Sequence, residues 1–186
     1  MNVYQSCPTF ITPRFTLYPV QPKDAPGLLA VYSDQAAWKN FNADNCTSDF
    51  RYTTLQEMED CIAMWRWSYE QGHFVRWTIR ENKRPIGTVE MFRRDDGDDG
   101  RGCGVLRIDL MSMYEFSDVL EELLRAMLPE MFQLFDCATI LTKAAPHMAR
   151  RRLALAVHGF RPWPQPIIGH DGTAYGDYWF KRHMID

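Results

Sequence analysis

The stretch from Cys103 to Phe135 constrains the fold most, because it joins an alternating strand to a long amphipathic helix through a short connection. Leu106, Ile108 and Leu110 fall on one face of the segment Gly104 to Met111, and Val105, Arg107, Asp109 and Met111 on the other, which is the period of a strand. Beyond Ser112 to Ser117, the residues Val119, Leu120, Leu123, Leu124, Met127, Leu128 and Met131 recur at helical spacing and place one apolar stripe on one helix face. Asp118, with Glu121 following, predicts an N-cap and a helix start near Val119. Pro129 predicts an end or a kink about a turn before Asp136. A strand feeding a helix through a short loop is where many α/β proteins hold a phosphate-bearing ligand, since the free amides at the helix start point outward and carry partial positive charge. The loop after Met111 is therefore the first place to seek function.

At 186 residues the chain is long enough for a sizeable core and is read as one domain over 1–186, with residues 1–13 as an N-terminal extension. Hydrophobic content of 46% and aromatic content of 13% exclude a disordered chain. A net charge of -3 offers no basic field, which argues against nucleic acid as a partner. Cys7, Cys46, Cys61, Cys103 and Cys137 are scattered and form no CxxC pair, a pattern of reduced thiols rather than a disulfide framework. The histidines show no HExxH or paired spacing, so no metal is expected. The first residues lack a basic segment leading into an apolar run, and no stretch approaches the roughly 18 apolar residues of a membrane span. These features predict a soluble, cytoplasmic protein with no membrane partner.

Along the chain, Phe15 to Val20 reads as a first strand, with Pro19 favouring a sheet edge. Pro22 to Ala25 opens a helix through Leu28, Leu29, Val31 and Tyr32; Asp34 to Asn40 is a second short helix or turn, and Asn40 to Arg51 a polar loop. Thr54-Leu55-Gln56-Glu57 matches a capping box, and Leu55, Met58, Ile62, Trp65 and Tyr69 continue at helical spacing until Gly72. Phe74 to Arg80 and Ile86 to Arg93 alternate on either side of Glu81 to Pro85, predicting an antiparallel hairpin. The acidic run Asp95 to Gly102 has turn composition and lacks the spacing of a calcium loop. Cys137 to Thr142 is a short apolar run, read as a fifth strand parallel to the fourth because a helix crosses between them. Pro146 to Val157 reads as a helix with Arg150, Arg151 and Arg152 near its start. Phe160 to Trp163 and Tyr175 to His183 are terminal strands, joined through an Asp171-Gly172 turn.

This order of elements resembles the GNAT N-acetyltransferase superfamily, in particular its ribosomal-protein N-terminal acetyltransferase-like branch. The pieces that carry the resemblance are Phe15 to Asp24, Ile86-Gly87-Thr88-Val89-Glu90, Leu106-Arg107-Ile108-Asp109-Leu110 and His158-Gly159-Phe160, in that order and over most of the chain from Phe15. The resemblance implies an α+β fold: a mixed, mostly antiparallel sheet of about six to seven strands, helices on both faces, and fourth and fifth strands that splay apart. It implies acetyl-coenzyme A as co-substrate, its thioester in the splay beside Leu110 and Met111. The pyrophosphate would lie on the loop Ser112 to Val119, where Glu115, Phe116, Ser117, Asp118 and Val119 fall on the family's Gln/Arg-x-x-Gly-x-Gly/Ala pattern. Neither glycine of that pattern is present, and a carboxylate about 4 Å from phosphate costs on the order of 4 kcal/mol at an effective dielectric of about 20, against about 0.3 to 1 kcal/mol returned by a helix N-terminus. Glu115 and Asp118 are therefore expected to turn outward as caps, with Arg150 and Arg151 as candidates to meet the phosphates and a solvated basic face as their alternative.

Acetyl transfer to an amine needs a neutral nucleophile, and a lysine-like amine near pKa 10.4 is neutral in less than about one part in a thousand at pH 7. A base must take that proton. Glu90 is the first candidate, in an otherwise apolar strand where partial burial would raise its pKa; an ion pair with an arginine is its structural alternative. Asp109 is the second, with Arg107 two residues away on the same face as its expected partner. Tyr114 is the candidate proton donor to the departing thiolate, or a packing residue. Cys103 is read as a buried thiol, and His170 and Asp171 as a turn beside the acceptor pocket. The expected acceptor is a small-molecule or peptide amine, and a homodimer stands open. The alternative is a GNAT-fold binding or regulatory module without catalysis; RNA binding, suggested by the arginine triplet and exposed aromatics, is a third and weaker reading.

Overall fold

The computed structural model describes residues 2–95 and 102–183. Its strands are β1 (Phe10–Ile11), β2 (Phe15–Pro19), β3 (Val75–Glu81), β4 (Arg84–Arg94), β5 (Cys103–Leu110), β6 (Thr139–Lys143), β7 (Arg161–Pro162), β8 (Ile167–Ile168), β9 (Ala174–Tyr175) and β10 (Tyr178–Arg182). Its helices are α1 (Ala25–Tyr32), α2 (Leu55–Glu70), α3 (Ser117–Leu134) and α4 (Ala149–Val157). One 8-stranded sheet runs in the order β1-β2-β3-β4-β5-β6-β10-β7, and β8 and β9 form a separate hairpin. Among the described residues only the β5 and β6 pair is parallel. The α+β class is as the resemblance implied. The strands expected as fourth and fifth are β5 and β6, because Phe10–Ile11 in the segment read as an extension pairs with β2. That pairing also corrects the edge position expected from Pro19: β2 lies between β1 and β3, and Pro19 is tolerated as its last residue.

The best-read element is α2. Thr54 Oγ1 accepts from the Glu57 amide (3.3 Å) and Glu57 Oε2 accepts from the Thr54 amide (2.9 Å), so two helix-end donors are satisfied reciprocally. The hairpin connection is shorter than expected. Asn82 and Lys83 alone join β3 to β4, both with positive φ (47° and 69°), the conformation a two-residue turn needs to match strand twist. The turn pairs Glu81 with Arg84, and a bulge between Ile79 and Arg80 then shifts the register by one residue to give Thr78↔Thr88 and Arg76↔Glu90. Gly87 lets β4 lie close against β5, since a Cβ there would collide with the Asp109 carbonyl oxygen.

Two expectations for α3 are corrected. The helix begins at Ser117 with Phe116 at the N-cap and no side-chain cap; Asp118 instead pairs with Arg14 at 2.9 Å. Pro129 neither ends nor breaks it, and the helix continues to Leu134. An interior proline costs about 3 kcal/mol, but Met127, Leu128, Met131 and Phe132 around it are all buried. At roughly 1.5 to 3 kcal/mol for each such side chain, that burial outweighs the loss. α3 and α4 cover one sheet face over Leu17, Trp77, Val89, Met91, Leu106 and Ile108. On the other face, α1 and α2 enclose Leu28, Tyr32, Met58, Ile62 and Trp65. The acidic run Asp95 to Gly102 falls, at residues 96–101, outside the described residues.

Candidate active site

β5 and β6 pair only through Gly104↔Ile140, Val105↔Leu141 and Leu106↔Thr142. β5 then runs on through Arg107, Ile108, Asp109 and Leu110 without a partner on that side. The Met111 amide is donated to the Ile86 carbonyl beside β4 (2.9 Å), so strand alternation turns the main-chain groups of Ile108 and Leu110 toward the gap. On the far side the Ala145 amide is donated to Met148 Sδ (3.3 Å) rather than back to β5. Pairing therefore stops at Leu106↔Thr142, and the stretch where the two strands part, the slot, is flanked by the main chain of Ile108 to Leu110, residues that are themselves buried.

At the mouth of this slot, Ser112, Glu115, Met148, Arg150, Arg151 and Lys39 line a cavity of about 340 Å³. The first intrahelical bond of α3 runs from the Leu120 amide to the Phe116 carbonyl (3.1 Å), so the amides of Ser117, Asp118 and Val119 face outward, uncapped by any side chain. The expected outward turn holds for Asp118 but not for Glu115. Glu115 is buried and accepts from Arg151 at both oxygens, from Nε and Nη2 at 2.8 Å each. A buried carboxylate without a partner is too costly to persist, and the guanidinium removes that cost. The arginine triplet is thereby divided: Arg151 is buried in this pair, Arg150 lies over the Phe116 ring (4.2 Å) and Arg152 over Trp179 (5.2 Å). The Ser112 amide is held by Asp34 Oδ2 (2.7 Å), which ties the loop to the end of α1.

A charged row crosses the opposite sheet face. Arg76 on β3, Glu90 on β4 and Arg107 on β5 are cross-strand neighbours, with Thr78, Thr88 and Asp109 in the next row. Glu90 is bound by Arg76 on one oxygen and by Arg107 Nη1 (3.0 Å) on the other. Arg107 therefore pairs with Glu90, not with Asp109 as expected. Burial would raise the Glu90 carboxyl, but the two guanidiniums outweigh burial and hold it below its ordinary value, so the expected upward shift is overturned. Asp109 goes the other way: burial pushes its carboxyl up despite Arg76 and Arg151. Its Oδ2 accepts from Tyr32 Oη (3.0 Å), while its buried Oδ1 has no partner. Tyr32 also meets Thr88 Oγ1 (2.7 Å) and receives Arg76 Nη1 (3.0 Å), and burial raises its phenol well above the usual value. Tyr114 stands apart, its hydroxyl donated to Glu81 Oε2 (2.6 Å) at the β3–β4 turn. Cys103 is buried, and burial raises its thiol. His170 borders a cavity that ends on Glu90 and Arg107, while Asp171 binds the Thr173 amide (2.9 Å) within its own turn.

The model of the acetyltransferase (GNAT) domain matches residues 14–161. The chain belongs to the GNAT acetyltransferase family. No curated protein sequence matches it. Its fold is similar to a protein described as a ribosomal-protein-serine acetyltransferase from Vibrio cholerae (13% identity, 98% of this chain and 100% of that one, TM-score 0.72). It is also similar to RimJ of Mycobacterium smegmatis in complex with CoA-disulfide (16%, 93% and 84%, TM-score 0.71). A third similar structure is the microcin C7 self-immunity acetyltransferase MccE with acetyl-CoA and AMP (11%, 92% and 93%, TM-score 0.69). At these identities the likeness is one of fold.

Acetyl transfer from acetyl-coenzyme A is the chemistry of the GNAT family, and the residues of this chain fit that co-substrate through main chain rather than glycines. Past the last β5–β6 pair the amide and carbonyl groups of Ile108 and Leu110 have no strand partner on that side, the α3 start offers outward amides, and Lys39 and Arg150 bring positive charge to the neighbouring cavity. Tyr32, Arg76 and Thr88 join the hydrogen-bond network around Glu90 and Asp109 but do not stand out in the sequence as candidates. For Arg76 a signal exists, since it shares one polar strand face with Thr78 and Arg80; Tyr32 reads simply as a core residue of α1.

Among the described residues no helix is long and apolar enough to cross a membrane, and no cluster of potential metal ligands occurs.

Proposed function

We propose that this GNAT protein, acting as one acyltransferase domain, acetylates the amine of a small molecule or of a peptide N-terminus. The observation that carries the reading is the divergence of β5 from β6 after Leu106↔Thr142, directly in front of an uncapped 18-residue helix. Bound acetyl-coenzyme A supplies an activated acyl group. The Ile108 and Leu110 main chain would grip its pantetheine arm, the Ser117 to Val119 amides its phosphates, and the Leu110 and Met111 region would hold an oxyanion donor close by.

Asp109 is the better proton acceptor of the two carboxylates. Its Oδ1 is unanswered and its pKa is raised, so it can take the proton that the incoming amine sheds; Glu90, held down by two guanidiniums, cannot do so readily. Tyr32 positions Asp109 through the 3.0 Å bond to Oδ2. Tyr114, bonded to Glu81, serves to anchor the loop to the β3–β4 turn. The five thiols, none in a disulfide, suit a reducing compartment, and the cytoplasm is the compartment we assign.

Calorimetric titration with acetyl-coenzyme A, followed by turnover on an amine panel, tests the reading. Binding with turnover is expected, and no heat at millimolar ligand would sink it. The Glu115–Arg151 pair at the slot mouth is the observation that favours the second reading, a binding module; binding without turnover on any amine would establish that one.

A further inference from the structure

Resting on the acetyltransferase reading above, we propose that the acceptor is a small amine carrying a carboxylate beside the amine and an apolar remainder, an aromatic α-amino acid in class. A cavity of about 320 Å³ opens on the α1–α2 side of the sheet and ends on Glu90 and Arg107. Arg107 is the first β5 residue past the last pair with β6, so the cavity borders the side chain of the residue at which that pairing stops. Its size lies at the lower end of the roughly 300 to 1,000 Å³ typical of small-ligand sites, which suits a compact molecule.

The lining decides what charge that molecule carries. Phe50, Trp65, Phe74 and Phe92 form the walls, and such rings commonly receive cations. Here their faces are taken. Arg76 lies over Trp65 (3.9 Å), Phe50 (5.5 Å) and Phe74 (6.0 Å), and Arg107 over Phe92 (5.4 Å). Glu90 is the one acidic residue among those lining the cavity, and two guanidiniums already neutralise it. A polyamine or a lysine side chain thus meets neither a free carboxylate nor a free ring face.

An anion is better served. Arg107, with 7% of its surface exposed, spends Nη1 on Glu90 and the Cys46 thiol and Nη2 on the Asp44 carbonyl, while Nε has no acceptor. Arg76 Nε is likewise unanswered. A carboxylate entering beside Arg107 meets the positive charge of this guanidinium, which lines the cavity, while its apolar part lies along the aromatic walls and the same charge disfavours the ammonium form of the neighbouring amine.

The test compares tyrosine, tyrosinamide, tyramine and spermidine as acceptors for the wild type and Arg107→Gln, with acetyl-coenzyme A binding measured in parallel. Tyrosine is expected to exceed tyramine and tyrosinamide in kcat/KM by about tenfold or more, with spermidine poorest and the ratio collapsing toward one in the variant. Should Arg107→Gln not fold, calorimetry of N-acetyltyrosine against N-acetyltyramine on the wild type reads the same preference. Tyramine or spermidine equal to or better than tyrosine overturns the inference, as does a protein that binds acetyl-coenzyme A and acetylates no carboxylate-bearing amine. Absence of both acetyl-coenzyme A binding and any acetylation overturns the transferase reading itself, and this inference falls with it.

Discussion

Two buried ion-pair clusters flank the slot, and they are built differently. Arg76, Glu90 and Arg107 sit on three adjacent strands whose register holds them in line, the two guanidiniums sharing Glu90 and Asp109 of the next row standing 3.6 Å from Arg76. Glu115 and Arg151 match one to one, and they join a loop to the start of α4 across the slot mouth. Strands paired over many residues cannot shift one pair without shifting all, so the row on the sheet is a fixed floor. The loop pair depends on local backbone alone and is the part that can rearrange when an anion arrives. The contrast teaches that a carboxylate near a phosphate site is not by itself disqualifying: what matters is whether a partner travels with it.

The largest expected effect lies in the fixed row. Glu90→Ala leaves Arg107 without a carboxylate in the interior and Arg76 with Asp109 alone, and chemical denaturation at pH 7 should register a loss of about 3 to 5 kcal/mol. Because the folded Glu90 pKa is depressed, its contribution is present above the ordinary value of 4.5 and fades as pH falls through the lower folded value, so wild type and variant should converge in stability below that point. Equal stability at pH 7 would remove the claim that this row is structural.

Asp109→Asn should fold and lose about 10² to 10⁴ in kcat. The raised Asp109 pKa predicts that wild-type kcat falls with acid at a pH above the ordinary carboxylate range, and the variant should lack that limb. An unchanged profile would shift the role of base elsewhere.

Glu115→Gln tests the movable pair. A stability loss of about 1 to 3 kcal/mol is expected from the half-answered Arg151, together with tighter acetyl-coenzyme A binding by calorimetry, since the freed guanidinium gains access to phosphate. Weaker binding would mean that Glu115 positions Arg151 for the ligand. Asp118→Ala should do least. Its pair with Arg14 is exposed, so a change within about 1 kcal/mol in thermal unfolding is expected, and a larger loss would restore the N-cap role read from the sequence.

What was legible in the sequence follows the range of the interaction that fixes it. The α2 capping box spans Thr54 to Glu57 and could be read directly, and the alternation in β5 placed Arg107 and Asp109 on one face. It could not say that Arg107 reaches Glu90, because that depends on the β4–β5 register, nor that Arg76 lies opposite Glu90, because a bulge between Ile79 and Arg80 shifts the β3–β4 register away from what the two-residue turn alone would give. Asp118 was misread as a cap because its partner, Arg14, comes from the distant turn between β1 and β2. Glu115 was misread because Arg151 lies beyond a strand and a helix, and no local pattern couples them. The slot itself was reachable only through resemblance to a family, since nothing in the residues of β6 announces that pairing stops at Thr142.

The most direct test is amide hydrogen exchange with and without acetyl-coenzyme A, resolved at single residues. The account predicts new protection at the Ile108 and Leu110 amides and at Ser117 to Val119, with little change along the already paired β3–β4 ladder. Ligand-bound protein in which Ile108 and Leu110 exchange as fast as before would place the ligand outside the slot and contradict it.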